Sequence, residues 1–272
     1  MSDSVSTTAT IKAAEELLLH HFRTQPFHNL NLLYNDGEPS GLPGGTCSDK
    51  TLSYLADAKA QGLNAHLHTA FIGGQEIHRL VRLHINGATY FADVGNGWPA
   101  IKLIPASRNI EYSCFGMRYR TEVDADWVRV FHQRQGKEQL QMEIRLQPRS
   151  EEDILKDIHT RYSSGIQYPF SNSVRFSAIV KESFRFLRGN VLHIYCEETL
   201  NVIDEFTINS ISDTLATYFG SQLLLPDKSG SYFPNNFSDQ TPSINDKTGF
   251  RSLEQTRRRQ IKSSAQTKKP AV

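Results

Sequence analysis

Apolar residues recur at helical spacing from Ile11 to Phe22, where Ile11, Ala14, Leu17, Leu18 and Phe22 share one face, and the run stops ahead of Pro26. The spacing predicts an amphipathic helix. After Pro26-Phe27-His28-Asn29-Leu30 comes a loop rich in Asn, Asp, Gly, Pro and Ser, from Tyr34 to Gly45. Leu52, Leu55 and Ala56 then return to helical spacing. Thr46 stands three residues before Asp49, a cap with an acid able to reach back, so a second helix is expected to start at Cys47 and end at Gly62. Beyond Gly62 the pattern changes to short β-prone runs over 63–72, 77–85 and 89–94, with the hairpin dipeptide Asn86-Gly87 between the last two. Runs over 112–119, 127–133 and 140–146, with a turn at Arg134-Gln135-Gly136-Lys137, extend this into an antiparallel sheet or barrel. Ser150 caps a helix whose Ile154, Leu155, Ile158 and Tyr162 are expected to face inward. Strands over 173–181, 183–187, 191–195 and 201–207, and a last helix opened by Ser210 with Asp213 and closed after Phe219, complete a small α/β unit.

This order predicts an α+β protein: a helical domain over 1–62, an antiparallel β-barrel over 63–149 and an α/β lid over 150–225. From 226 to 272 apolar density gives way to Asp, Ser, Asn, Thr and Lys, with basic clusters at Arg257-Arg258-Arg259 and Lys268-Lys269, and a disordered basic tail is expected. Composition narrows the function. With 38% hydrophobic residues and a formal net charge of +1 over 272 residues, nothing in the overall charge favours nucleic acid or an acidic partner. Three widely spaced cysteines, Cys47, Cys114 and Cys196, without a CxxC, argue against a disulfide framework or a metal site and suit a reducing compartment. The first ten residues lack the basic and apolar regions of a secretory signal, and no apolar run is long enough to span a membrane, so a cytoplasmic protein is expected.

Cys47 is the candidate for chemistry. At a helix start its sulfur lies near free backbone N–H groups and the positive end of the helix dipole, which favours thiolate; the Asp49 carboxylate opposes this in part. Gly44 and Gly45 let the backbone turn tightly and leave its N–H groups open to a substrate oxygen. The alternative is a buried structural cysteine after an ordinary Gly-Gly turn. A cysteine used for acyl transfer needs a base and a group to orient that base. His78 is eight residues before Asn86 and Asp93 is six after Gly87, so the hairpin folds the two toward one another. Gly95-Asn96-Gly97 then lets the chain turn away. The outcome is a Cys-His-Asp core of the cysteine-protease kind. Cys114 and Cys196 lie within β-prone runs and read as small core residues.

Pro26-Phe27-His28-Asn29-Leu30, Gly44-Gly45-Thr46-Cys47, His78-Arg79-Leu80-Val81 and Asp93-Val94-Gly95-Asn96-Gly97 together resemble, in order and spacing, the arylamine N-acetyltransferases. The resemblance covers roughly residues 10–225 and implies a Cys47–His78–Asp93 triad with a ping-pong mechanism. In it the thiolate takes an acyl group from a thioester such as acetyl-CoA and passes it to an amine. No permanently bound cofactor is expected, and the donor carrier is either CoA or a carrier protein; the loop from Gly95 to Pro105, the counterpart of the family's loop after the Asp-Val-Gly box, either offers the backbone N–H groups of Gly95 and Gly97 to the donor's phosphates or is a plain turn. The chain departs from the family at several places. Pro43 stands for Arg, His28 for Glu, Asp49 and Thr51 for the Glu and Asn after the cysteine, and Asn96 for an aromatic that lines the acceptor pocket. An amide at that last position points to a more polar acceptor. The segment before Cys47 is also shorter than usual, which marks a divergent member. Two other functions share the same residues: a Cys-His-Asp hydrolase or transglutaminase-like enzyme, and a catalytically impaired binding protein on the same fold.

Overall fold

The computed structural model describes residues 2–34, 42–161, 168, 170–203 and 211–220. Helix α1 (Ser2–Thr24) buries Ala14, Leu17, Leu18 and Phe22, the face that the spacing selects. It begins nine residues earlier than the apolar pattern does, because no Gly or Pro interrupts Ser2 to Thr24 and a helix already anchored by packing extends at little cost. Two short elements follow, β1 (Phe27–His28) and α2 (Leu30–Tyr34), and then α3 (Cys47–Ala60). Helix α3 packs Tyr54, Leu55 and Ala58 against α1, and the Tyr54 hydroxyl donates to the Ala14 carbonyl at 3.0 Å. Each such fully buried Leu, Phe or Tyr contributes about 1.5–3 kcal/mol.

The middle of the chain forms one eight-stranded antiparallel sheet curled into a half-barrel. Its strands are β2 (Asn64–Ile72), β3 (Gln75–Ile85), β4 (Ala88–Ala92), β5 (Ile104–Pro105), β6 (Glu111–Cys114), β7 (Met117–Val123), β8 (Trp127–Arg134) and β9 (Lys137–Arg145). Their spatial order is β5-β4-β3-β2-β9-β8-β7-β6. Asn86 and Gly87 both take positive φ, +48° and +79°, and join β3 to β4 with Ile85 opposite Ala88, as the dipeptide predicts. The single strand expected over 112–119 is instead a hairpin. Phe115 and Gly116 take φ of +52° and +68° and fold β6 back onto β7, with Cys114 opposite Met117.

Helix α4 (Glu151–His159) is capped by Ser150, whose Oγ accepts from the Asp153 N–H at 3.1 Å. Ile154 and Ile158 are buried as expected; Leu155 is 38% exposed and faces out, and Tyr162 lies outside the described residues. A second sheet holds β10 (Arg175–Val180), β11 (Ser183–Arg188), β12 (Val191–Tyr195) and β13 (Leu200–Ile203). Its first strand is not local: the order is β1-β10-β11-β12-β13, with Phe27 opposite Ser177. Buried Asn29 fastens this junction, its amide donating to the carbonyls of Phe170 (2.5 Å) and Ser173 (2.8 Å) while its oxygen accepts from the Arg175 N–H (2.7 Å). Helix α5 (Ile211–Phe219) follows; its expected cap, Ser210, lies outside the described residues. No helix among the described residues is long and apolar enough to cross a membrane. These elements form one compact unit, Met1–Tyr232; a second unit, Phe233–Val272, which holds most of the tail expected over 226–272, lies outside the described residues.

Candidate active site

The turn before α3 is built by two glycines that no other residue replaces. Gly44 has φ +91°, and a Cβ there would stand 2.0 Å from the Pro26 carbonyl oxygen; Gly45 has φ +135°, and its Cβ would meet the Asp49 side chain at 2.6 Å. Gly45 bridges Phe27 in parallel, donating to the Pro26 carbonyl at 3.1 Å and accepting from the His28 N–H at 2.9 Å. The loop is thereby hooked onto β1, and Thr46 caps the helix. One Asp49 oxygen accepts from both the Thr46 N–H and its hydroxyl, each at 2.9 Å; the other accepts from Arg161 at 2.7 Å. The carboxylate that opposes a thiolate in the sequence reading is therefore paired with a guanidinium.

Cys47 is the first helical residue, 5% exposed, with its sulfur 3.9 Å from the Ile77 carbonyl oxygen. The His78 Nε2 lies 2.6 Å from Asp93 Oδ1, which leaves Nδ1 for the sulfur. His78 and Asp93 are also buried. Burial alone raises the thiol's pKa, but the His78 hydrogen bond and charge, together with the Arg79 charge, outweigh it and bring the net value down. For His78 burial acts downward, and the Asp93 charge and hydrogen bond, with Cys47 behind them, reverse it and hold the ring protonated above its ordinary range. A thiol drawn below its ordinary range, beside an imidazole raised above its own by a carboxylate, is an arrangement able to carry a thiolate–imidazolium pair.

Three charged or polar groups close to Cys47, His78 and Asp93 were not foreseen as parts of the same site. Arg79, 5% exposed, donates to the carbonyls of Glu76 and His78 and lies 3.5 Å from Asp157. Lys50 is fully buried one turn after Cys47, donates to the Gln25 carbonyl at the end of α1, and sits 5.0 Å from the centre of the Phe22 ring. Its position at i+3 from the cysteine was the available signal, since residues three apart share a helix face. Asn96 donates through Nδ2 to Asp93 Oδ2 at 2.7 Å and is 8% exposed. His28, which stands for the family's Glu, is buried and stacked on Phe176 with ring centres 5.9 Å apart; burial, aided by the Lys50 charge, pushes its pKa down to about 3.

Gly95 lies against Cys47, and Gly97 lies beside Phe27. A Cβ on Gly95 would stand 2.8 Å from Cys47 Cα and Cβ, so the loop backbone is pressed against the cysteine, whereas one on Gly97 would meet only the Phe27 ring, at 3.5 Å. The Gly97 carbonyl accepts from the Ser177 hydroxyl at 2.8 Å. Cys114 is buried and donates to the Pro99 carbonyl at 3.4 Å, and Cys196 is half-buried; both are free thiols. Two surface cavities, one of about 570 Å³ between α1 and α3 beside His20 and Asp57 and one of about 250 Å³ beside Glu76 and Arg149, lie away from the triad. Among the described residues no group of three or more His, Cys, Asp or Glu side chains is placed to hold a metal ion.

A half-barrel sheet packs against the helix that opens at Cys47, and one hairpin of that sheet with the residue after it supplies His78 and Asp93, an α+β class of fold with a cysteine, a histidine and an aspartate gathered at its centre. The profile of a family described as N-acetyltransferase matches residues 60–227, and the chain belongs to that family. The match takes in His78 and Asp93 and begins after Cys47. Among solved structures, the arylamine N-acetyltransferase of Nocardia farcinica is similar at 18% identity with a TM-score of 0.66, over 79% of this chain and 84% of that one. The Mycobacterium tuberculosis arylamine N-acetyltransferase is similar at 20% identity with a TM-score of 0.64, over 77% and 87% of the two chains. The Mycobacterium marinum enzyme solved in complex with CoA is similar at 15% identity with a TM-score of 0.65, over 78% and 87%. The fold is thus that of the arylamine N-acetyltransferases. No curated protein matches the chain.

Proposed function

We propose that this protein is an N-acyltransferase that moves an acetyl group from acetyl-CoA to a small amine through an acyl-Cys47 intermediate. The observation that supports the reading is the buried His78–Asp93 pair, Nε2 to Oδ1 at 2.6 Å, beside a buried Cys47 whose thiol His78 draws below its ordinary pKa. The CoA bound to the Mycobacterium marinum neighbour supports the donor. In the first half-reaction the Cys47 thiolate attacks the thioester carbonyl. The oxyanion of the tetrahedral adduct is taken by backbone N–H groups at the start of α3, the carbon–sulfur bond to CoA breaks, and His78 gives its proton to the departing thiolate. In the second, the amine attacks acyl-Cys47, neutral His78 removes the amine's proton, and the cysteine thiolate leaves with its imidazolium partner restored. Asp93 keeps one ring nitrogen protonated and the other directed at sulfur throughout. Gly95 and Gly97 are given the donor in the same reading. Their backbone N–H groups, in the loop that follows Asp93, would meet the donor's phosphates.

Intact-mass analysis after incubation with acetyl-CoA tests this. A single acetyl adduct is expected on the native chain and none on Cys47→Ala; an adduct that persists in the variant defeats the proposal. His78→Gln is expected to slow acyl-enzyme formation by at least about 10²-fold, the usual worth of a positioned base.

A further inference from the structure

The loop after β4 runs Asp93-Val94-Gly95-Asn96-Gly97-Trp98, and Asn96 occupies the position that the family resemblance gives to an aromatic facing the acceptor. In this protein the side chain turns back onto Asp93. Its Nδ2 donates to Asp93 Oδ2 at 2.7 Å, and its Oδ1 accepts from the Trp98 N–H at 3.1 Å, closing a local turn two residues long. The other Asp93 oxygen receives His78 at 2.6 Å. Each carboxylate oxygen therefore has its own donor, and rotation of the carboxylate would break both bonds at once. Asp93 is completely buried, so no water substitutes freely for a lost donor, and a hydrogen bond to an ionised group in such surroundings is among the strong ones. No aromatic carbon at this position would offer that donor.

We propose that Asn96 is a positioning residue of the triad, holding the Asp93 carboxylate so that the opposite oxygen orients His78, and that it makes no contact with the acceptor. This rests on the acyl-transfer reading of Cys47, His78 and Asp93. Acceptor selection consequently belongs to residues other than 96, and the preference for a polar acceptor that an amide suggests on sequence grounds loses its basis.

Two variants separate orientation from turn-making. Asn96→Ser retains a short oxygen able to accept from the Trp98 N–H but cannot reach Asp93; Asn96→Ala removes both bonds. Alkylation of Cys47 by iodoacetamide, read by intact mass across a pH series, needs neither donor nor acceptor. Both variants are expected to alkylate about tenfold to a hundredfold more slowly near neutral pH, the span of a lost hydrogen bond to a buried charge. The acid limb of the profile should move toward higher pH by on the order of one unit, because a loosened imidazolium stabilises the thiolate less. Acetyl-Cys47 formation should fall by the same factor, with the acceptor KM unchanged.

Wild-type alkylation and an unshifted profile in Asn96→Ser overturn the inference, and so does an effect confined to the acceptor KM, which would make residue 96 an acceptor contact. A thermal midpoint that collapses in both variants makes it structural and overturns it as well. His78→Gln in the same assay reads the triad itself. If that variant alkylates like the native chain, it is the acyl-transfer reading that fails; if it is slow while Asn96→Ser is not, the triad stands and only the role of Asn96 falls.

Discussion

Gly95 and Gly97 are the same residue two positions apart, yet a Cβ on the first would press on Cys47 at 2.8 Å while one on the second fits beside Phe27 at 3.5 Å. Gly95→Ala must therefore push the cysteine backbone, and it is expected to lower the rate of Cys47 alkylation at least tenfold, on the order of 1.4 kcal/mol in barrier. Gly97→Ala should remain within twofold of native; equal losses in the two would show that the contact with Cys47 is not what matters. The thiol itself supplies a pH prediction. Its pKa is lowered because His78 and Arg79 outweigh the burial that raises it, so the reactive thiolate is present below the ordinary thiol value of 9.0 and is lost only as acid protonates it. Alkylation should persist below pH 9 in the native chain, and His78→Gln should move its decline to higher pH. A native profile that already declines steeply from 9 would contradict the ion pair. The Cys47 environment was legible in the sequence as far as its cap and glycines. Arg161, which neutralises Asp49, stands 112 residues away, and no local pattern links them.

At the scale of elements, the junction of α1 and α3 carries a buried lysine. Burial lowers the pKa of Lys50 from 10.5 to about 7, against a weaker upward pull from Asp93. The sign follows from linkage: between those two values the unfolded chain holds a proton that the folded chain does not, so stability increases as pH rises through this window and the penalty is complete below it. Lys50→Met should flatten that rise in urea midpoints measured between about pH 7 and 10, with little change in slope elsewhere. Both signals that would have placed Lys50 inside, its i+3 spacing from Cys47 and its helix face, were present, but a lysine at such a position normally reaches solvent. The Phe115-Gly116 turn was illegible for a related reason: phenylalanine at positive φ is disfavoured locally, and it is tolerated here where Gly116 packs under the Cys196 carbonyl, whose oxygen lies 2.8 Å from the place of a Cβ. The Asn86-Gly87 turn carries its own chemistry and was readable at once.

Over the whole molecule, the first strand of the second sheet comes from residues 27–28 and the remainder from beyond residue 174, so the chain closes on itself through Asn29. Asn29→Ala leaves the Phe170 and Ser173 carbonyls and the Arg175 N–H without their partner, and it is expected to cost about 2–4 kcal/mol, read as a fall in urea midpoint. A loss below about 0.5 kcal/mol would show that the closure contributes nothing. The same closure holds the Gly44-Gly45 turn, because Gly45 is hydrogen bonded to both sides of Phe27.

By itself the sequence determined whatever depends on neighbours within a few positions. These are the apolar face of α1, the start of α3 at a capped cysteine, the β3–β4 hairpin that draws His78 toward Asp93, and the boxes that mark the family. Periodicity, capping and turn chemistry are local, and local interactions leave local marks. Only the tertiary structure decided which groups share the dry interior around Cys47: Arg161 on Asp49, buried Lys50 on the Gln25 carbonyl, Gly95 against the Cys47 backbone and Asn96 on Asp93. The direction of a side chain in a loop, and the charges that a fold brings together across a hundred residues, are set by burial and packing, which no spacing along the chain encodes.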